Sequence, residues 1–374
     1  MKVLILGGGV SGKSAKDYLE KRGDDVVMFD QHIDMCVVSP GIQVTSELDL
    51  GFLSKCKKVV AVTGTNGKTT VVTMLHEILG DKSVLCGNVG TPVTAVADQF
   101  KDKIAIVEVS SFQLEIPPRN FKPDISVILN ITQDHLERHG TMQEYINCKS
   151  RIAGEVNVVN SDDPICRQLD LPNTVWFGGA THIEQNTNAV KAVLELLGVK
   201  KKFEYKRLPH RIEHIRTLND VEFYDDSKAT NVSSTLAACR LFEKSHAGHD
   251  VNLILGGLAK GQDFSELFAK LPSNVKNIFV IGDATKEILK SAKTWNGKTL
   301  QCQTMDAAII KAAQTGTGKR IVLLSPACAS FDMFKNYAHR GEVFKAIVAD
   351  YSFQHLRQSQ PKPYKRQVTS LRNL

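Results

Sequence analysis

The sequence predicts an α/β protein of three successive domains, and three observations predict it. Short apolar runs alternate with helical patterns along most of the 374 residues, the pattern of parallel sheets with crossover helices. A glycine-bearing turn joins a strand to a helix twice, at Gly7–Gly12 and at Gly64–Gly67. Polar breaks at Leu53-Ser54-Lys55-Cys56-Lys57 and at Lys200-Lys201-Lys202 divide the chain. The expected segments are a small domain over 1–57, a central domain over 58–202, a C-terminal domain over 203–350 and a tail over 351–374. The strand candidates are 3–6, 26–29, 36–38, 58–62, 104–109, 125–129, 156–159, 221–224, 251–255, 277–281 and 320–324. A helix is expected over 187–197. No repeat with a period of 20–50 residues is visible.

In the small domain, Gly7-Gly8-Gly9-Val10-Ser11-Gly12 fits G-x-G-x-x-G between a strand and a helix, and Asp30 closes the next strand 18 residues beyond Gly12. This is a Rossmann-like fingerprint: a diphosphate on the helix N-terminus, an acid toward a ribose hydroxyl. It does not separate NAD from other diphosphate-linked nucleotides, although an NAD domain needs more chain than precedes the next phosphate loop. So small a domain also needs support from its neighbours. Ser39-Pro40-Gly41 is a further turn.

The central domain opens with the apolar run 58–62, then Thr63-Gly64-Thr65-Asn66-Gly67-Lys68-Thr69-Thr70, then a helical pattern holding Val71, Val72, Met74, Leu75, Ile78 and Leu79. Strand, loop, Lys-Thr and helix make a P-loop-like cradle. Backbone N–H groups and a helix end face a triphosphate, Lys68 adds a point charge, and Thr69 offers a hydroxyl to Mg²⁺. The common pattern G-x-x-x-x-G-K-[ST] requires glycine at 62, where this chain has Val62, so the loop is a variant. Glu108 is the lone carboxylate in the run 104–109, and a carboxylate so placed needs a partner, Mg²⁺ or a basic side chain. The Asp134-His135 pair follows the run 125–129, where parallel sheets collect ligands. Read alone, His135 is a hydrogen-bonded structural residue and Lys149 a surface helix lysine.

The C-terminal domain carries Asp225-Asp226-Ser227-Lys228-Ala229-Thr230-Asn231, Gly256-Gly257-Leu258-Ala259-Lys260-Gly261 and Leu324–Asp332, each after a strand candidate. Three polar loops at strand ends predict a small-molecule site, although each alone also serves as a helix cap.

Composition bounds these readings. Apolar residues make up 42% and charged residues 23%, a globular profile with ample core material. No apolar run approaches the ~20 residues of a membrane helix, and the N-terminus reads as a strand, not a signal peptide. Eight scattered cysteines without a C-x-x-C pair fit reduced thiols and a cytoplasmic protein. Net charge is +7, but the stretch 357–374 alone supplies five basic residues and no acid. The body is only mildly basic, so no nucleic-acid partner and no membrane insertion are expected.

Taken together, these residues resemble the Mur ligases of peptidoglycan synthesis. The loop 64–70 is shared across that superfamily, including folylpolyglutamate synthetase. Ser110-Ser111-Phe112-Gln113-Leu114-Glu115, Asp226–Asn231 and Ser325–Asp332 with Phe334-Lys335-Asn336 resemble its D-glutamate-adding branch. The resemblance spans the chain except its basic tail. It implies a Rossmann-like first domain, a P-loop ATPase-like central domain and a Rossmann-like third domain. The implied substrates are UDP-N-acetylmuramoyl-L-alanine and D-glutamate, with ATP and two Mg²⁺ ions.

By the same resemblance, Val10, Ser11, Asp30, Ser39, Gly41 and Asn88 would contact the UDP-linked substrate. Gly64, Thr65, Asn66, Gly67, Lys68, Thr69, Thr70, Asn188, Arg211 and Asp226 would hold ATP. Thr69 and Glu108 would hold one Mg²⁺, and His135 with a carbamylated Lys149 the other. His210, Lys228, Thr230, Lys260, Ser330, Phe331 and Tyr337 would grip D-glutamate. Lys68, His135, Lys149 and Lys228 are the implied catalytic set, in a cytoplasmic monomer that activates a carboxylate as an acyl phosphate.

Three departures from the family pattern stand out. Only eight residues separate Asp30 from Ser39, which shortens the first domain. The stretch from Trp176 to Asn188 is also short, and Leu258-Ala259 stand where an acidic residue often precedes the Lys260 position. The alternatives are a related ligase for another amino acid or for folate, a non-catalytic nucleotide-binding protein, and an NAD enzyme.

Overall fold

Two six-stranded, mainly parallel sheets and a parallel strand pair carry the chain. The computed structural model describes residues 1–31, 42–52, 56–205 and 208–350. The expected strand 36–38, Ser39, Gly41 and the basic tail lie outside the described residues. Contacts group the chain into two units, Met1–Lys206 and Arg207–Leu374.

In the first unit, β1 (Lys2–Leu6) pairs in parallel with β2 (Asp25–Phe29) around α1 (Val10–Lys21). Val3, Ile5, Val26 and Met28 are half-buried, while Leu4, Leu6, Val27 and Phe29 on the opposite face are exposed. So small a layer gains support from the central layer, as its length requires. The Ser14 hydroxyl meets Thr94 Oγ1 at 2.7 Å. Glu47, opening α2 (Glu47–Gly51), accepts from Thr94 N–H and Oγ1 in α4 (Val93–Val96). Asp49 Oδ1 accepts the N–H groups of Arg119, Asn120 and Phe121 at 2.6–2.8 Å.

The central sheet comprises β3 (Lys58–Thr63), β4 (Ser83–Gly87), β5 (Ile104–Glu108), β6 (Ile125–Ile128), β7 (Val156–Asn160) and β8 (Thr174–Phe177), ordered β4-β5-β3-β6-β7-β8 and all parallel. Its helices include α3 (Lys68–Leu79), α5 (Leu136–His139), α6 (Met142–Ser150) and α7 (His182–Leu196), so the helix expected over 187–197 starts earlier. Thr181 caps α7 by accepting from Glu184 N–H. Side-chain alternation builds a core on each face. Val59 and Ala61 join one cluster with Val107, Phe100 and Tyr145, and Val60 and Val62 join the other with Leu75, Ile106 and Val190. The loops after β3, β5 and β6 therefore leave the middle of a sheet covered on both faces.

The second unit orders its strands β13-β12-β11-β14-β10-β9. They are β9 (Glu213–Leu218), β10 (Val221–Asp225), β11 (Asp250–Gly256), β12 (Val275–Ile281), β13 (Lys298–Gln301) and β14 (Arg320–Leu324). The helices are α8 (Val232–Ser245), α9 (Ser265–Lys270), α10 (Thr285–Ser291), α11 (Met305–Gln314) and α12 (Tyr337–Asp350). Ile321 and Leu323 face one core, and Val322 and Leu324 the other. The sheet is not wholly parallel: β9 runs antiparallel to β10 through the turn at Asn219-Asp220. Asn219 takes the left-handed conformation there, at φ 53°.

Candidate active site

The phosphate loop leaves β3, which lies between β5 and β6. Gly64 has φ 149° and Gly67 φ 87°. A Cβ on Gly67 would meet Asn186 Oδ1 at 2.5 Å, so only glycine fits that turn. The first helical bond runs from Val71 N–H to the Gly67 carbonyl. The N–H groups of Lys68, Thr69 and Thr70 therefore precede the helix ladder, at the helix end that attracts an anion.

Asn130, at the end of β6, holds the loop in shape. Its Oδ1 accepts Asn66 N–H at 2.8 Å, its Nδ2 donates to the Asn66 carbonyl at 3.1 Å, and its own carbonyl accepts Thr65 N–H at 2.8 Å. The Thr65 hydroxyl lies 3.1 Å from the Tyr145 hydroxyl and accepts Thr132 N–H at 2.9 Å. Lys68 Nζ folds back to the carbonyls of Gly64 (2.8 Å) and Thr65 (3.1 Å).

Lys149 is the largest departure from an ordinary surface lysine. It is 1% exposed, and its Nζ donates to the Gly64 carbonyl at 3.0 Å, over the Tyr145 ring. Burial pulls its pKa well below the usual lysine range, and the charge of Lys68 adds to this. The amine is thereby moved toward its neutral, nucleophilic form. Tyr145 and Lys149 stand four residues apart on α6, one helical face. That spacing is a sequence signal by which Tyr145 was detectable.

Glu108 pairs in register with Val62, the residue before Thr63. Its Oε1 accepts from Asn88 Nδ2 at 2.9 Å, while the buried Oε2 has no hydrogen-bond partner. A buried, orphaned carboxylate oxygen beside a phosphate loop fits a cation. His135 takes φ 55° at the N-terminus of α5, with Nε2 3.7 Å from Asp134 Oδ2 and Nδ1 3.4 Å from Glu137 Oε1. Carboxylate and hydroxyl oxygens suit a hard divalent ion, so Glu108 with Thr69 fits Mg²⁺, whereas the His135 imidazole is a softer donor. Asn188 Nδ2 donates to the Gly178 carbonyl at 2.7 Å, tying α7 to the loop after β8.

In the first layer, Val10 and Ser11 open α1, and Asp30 is exposed just beyond β2. A Cβ on Gly8 would meet Asp30 Cβ at 2.6 Å, so turn and acid lie together.

The second unit gathers its three loops at the C-terminal ends of β10, β11 and β14. Asp226 is buried, with Oδ2 accepting from the Ser325 hydroxyl at 2.8 Å and Oδ1 from Ile212 N–H at 3.2 Å. Burial pushes its pKa up to about 7, against the Ser325 bond and the charge of Arg211. Lys228 Nζ sits 3.7 Å from the centroid of the Tyr337 ring, a cation–π contact. Leu258 and Ala329 exchange two backbone hydrogen bonds, drawing the Lys260 loop to the Ser330 loop. Ser330 is buried and Phe331 is 69% exposed; Thr230 is half-buried.

His210 is buried. Its Nδ1 lies 2.7 Å from Asp225 Oδ2, its Nε2 is 3.4 Å from Glu342 Oε1, and its carbonyl accepts Lys228 N–H. His210, Glu213 and Asp225 cluster like metal ligands, but Glu213 also pairs with Lys345 at 2.9 Å. The group is part of a network of hydrogen bonds and ion pairs that reaches Glu342 and Lys345. Asn130, Tyr145, Asp225 and Ser325 are the supports that sequence reasoning did not single out as site residues.

Comparison with known proteins bears on the family and the fold. Residues 62–214 match the Mur ligase middle domain, and residues 210–328 match the Mur ligase, glutamate ligase domain. The UDP-N-acetylmuramoylalanine--D-glutamate ligase of Pelotomaculum thermopropionicum is 31% identical, across 93% of this chain and 97% of its own length. The enzyme of the same name from Francisella tularensis subsp. tularensis is 34% identical, across 93% and 96%. These alignments run over 447 and 411 positions, more than the 374 residues here, so both relatives carry segments that this chain lacks. The structure of MurF ligase from Thermotoga maritima in complex with ADP shares the fold, with a TM-score of 0.64 at 17% identity over 93% of this chain and 95% of that one. With both domains matched and full-length relatives above 30% identity, the chain belongs to the Mur ligase family.

Proposed function

We propose that this chain is an ATP-dependent ligase that joins D-glutamate to UDP-N-acetylmuramoyl-L-alanine in the cytoplasm, as a monomer. The observation that carries the reading is the buried Lys149 amine on the carbonyl of the phosphate loop. An amine held toward its neutral form can add CO₂, and the resulting carbamate is an oxygen-bearing anion suited to a divalent ion beside His135. No helix among the described residues is long and apolar enough to cross a membrane.

Lys68 and the N-terminus of α3 would hold the ATP phosphates, with Asn188 at the adenine. Glu108 and Thr69 would hold one Mg²⁺, His135 and carbamylated Lys149 a second. When bound, these ions offset the repulsion between a carboxylate and a triphosphate. The carboxylate oxygen of the alanyl end bonds to the γ-phosphorus as the bridging P–O bond breaks, giving ADP and an acyl phosphate. The amine of D-glutamate then bonds to the acyl carbon, a proton leaves the nitrogen, and phosphate departs with the C–O electron pair. Val10, Ser11, Asp30, Ser39, Gly41 and Asn88 would orient the UDP-linked substrate. His210, Lys228, Thr230, Lys260, Ser330, Phe331 and Tyr337 would bind D-glutamate.

Phosphate release with ATP, Mg²⁺ and UDP-N-acetylmuramoyl-L-alanine, measured while the amino acid is varied, tests this reading. D-Glutamate should stimulate release. Stimulation by L-glutamate or L-lysine but not by D-glutamate would overturn the assignment.

A further inference from the structure

Arg340 heads the large, fully buried side chains of the described residues. It stands in the first turn of α12, and its guanidinium is directed at two loops, not at a carboxylate. Nε donates to Ser227 Oγ at 2.9 Å and Nη2 to the Ser227 carbonyl at 2.8 Å. Nη1 donates to the carbonyls of Cys328 at 3.1 Å and Ala329 at 3.3 Å. Burial lowers its pKa to about 10, so it stays charged at neutral pH. The Ser227 hydroxyl also donates to the Tyr337 carbonyl at 2.8 Å, closing the junction onto the start of α12. A Cβ on Gly257 would meet Nη1 at 3.2 Å, so a third loop leaves room for the guanidinium.

Ser227 precedes Lys228, and Ala329 precedes Ser330. One planar group therefore ties together the backbones next to two residues assigned to the amino-acid substrate. We propose that Arg340 is a positioning residue: it does not touch D-glutamate, but sets the spacing between Lys228 and Ser330 at which both can meet it. This rests on the ligase reading above. The chemistry favours arginine, whose rigid fork serves several carbonyls at once, whereas a lysine places one point charge. Losing the fork leaves buried carbonyls unpaired and lets the two loops move apart.

The test is Arg340→Lys in the full chain, assayed by phosphate release and by amide hydrogen exchange. The KM for D-glutamate should rise by about tenfold or more while that for ATP moves by less than about threefold. Exchange should quicken in 226–231 and 325–332 but not in 64–70. An unchanged D-glutamate KM, or parallel rises in both KM values with exchange quickening throughout the second unit, would overturn the proposal. Should the lysine variant not fold, Ser227→Ala removes one acceptor and should give a smaller rise in the D-glutamate KM, with no rise counting against the proposal. If wild-type protein ignores D-glutamate altogether, the ligase reading has failed. Exchange in the two loops then still decides whether Arg340 holds them together.

Discussion

Lys149 Nζ donates to the Gly64 carbonyl at 3.0 Å, and Lys68 Nζ donates to the same oxygen at 2.8 Å. Two amines on one acceptor cannot both be comfortably charged at this spacing. Burial pulls the pKa of Lys149 well below the usual lysine range, and the charge of Lys68 adds to this.

If Lys149 works as a carbamate, Lys149→Ala should lose nearly all phosphate release and partly recover when short carboxylates such as acetate are added. Removing dissolved CO₂ from the wild type should lower its rate. Full activity in the alanine variant would remove the carbamate.

Glu108 Oε2 is buried without a partner, so Glu108→Gln should leave the metal-free protein at least as stable. The stabilisation that Mg²⁺ with ATP confers on the wild type should shrink in the variant. Thermal melting with and without Mg²⁺ and ATP reads both. An undiminished shift would show that Glu108 does not serve the ion.

Asn130→Ala removes both side-chain bonds to the Asn66 peptide. The expected cost is ~1–3 kcal/mol of stability from the unpaired backbone groups, with a rise in the KM for ATP. Asn130→Asp keeps an acceptor for Asn66 N–H and should fall between alanine and wild type. Denaturant unfolding together with ATP kinetics checks both parts.

The Asp226 carboxyl has a folded-state pKa raised to about 7 from the ordinary carboxylate value of 3.8. Across that window the folded protein binds the proton more tightly than the unfolded chain, so this group makes stability fall as pH rises. Asp226→Asn abolishes the loss and should gain stability relative to wild type as pH is raised through the window, by on the order of a few kcal/mol at most. The Ser325 hydroxyl can turn to Thr235 Oγ1, 3.2 Å away. Unfolding midpoints at acid and mildly alkaline pH check the sign.

The strands that lacked a sequence candidate share one property. β4, β8, β9 and β13 are the four edges of the two large sheets. Interior strands such as Val59-Val60-Ala61-Val62 are covered on both faces and read as continuous apolar runs, whereas Glu213–Leu218 and Lys298–Gln301 carry polar residues toward solvent. The antiparallel direction of β9 is likewise a matter of pairing, and local pattern carries no direction.

The amino-acid sequence by itself determined the α/β class, the phosphate loop with Lys68, and the position of Glu108 at the end of a buried strand. Each depends on residues adjacent along the chain, where glycine conformation, apolar runs and helix starts act locally. Tertiary structure decided the rest. It buried Lys149 against Gly64, which lies 85 residues away; paired Asn88 with Glu108; raised the Asp226 pKa by burial, in opposition to its Ser325 bond; and set Arg340 between Ser227 and Ala329. Those are statements about desolvation and donor–acceptor geometry between distant segments, and they exist only once the sheets have brought the loops together.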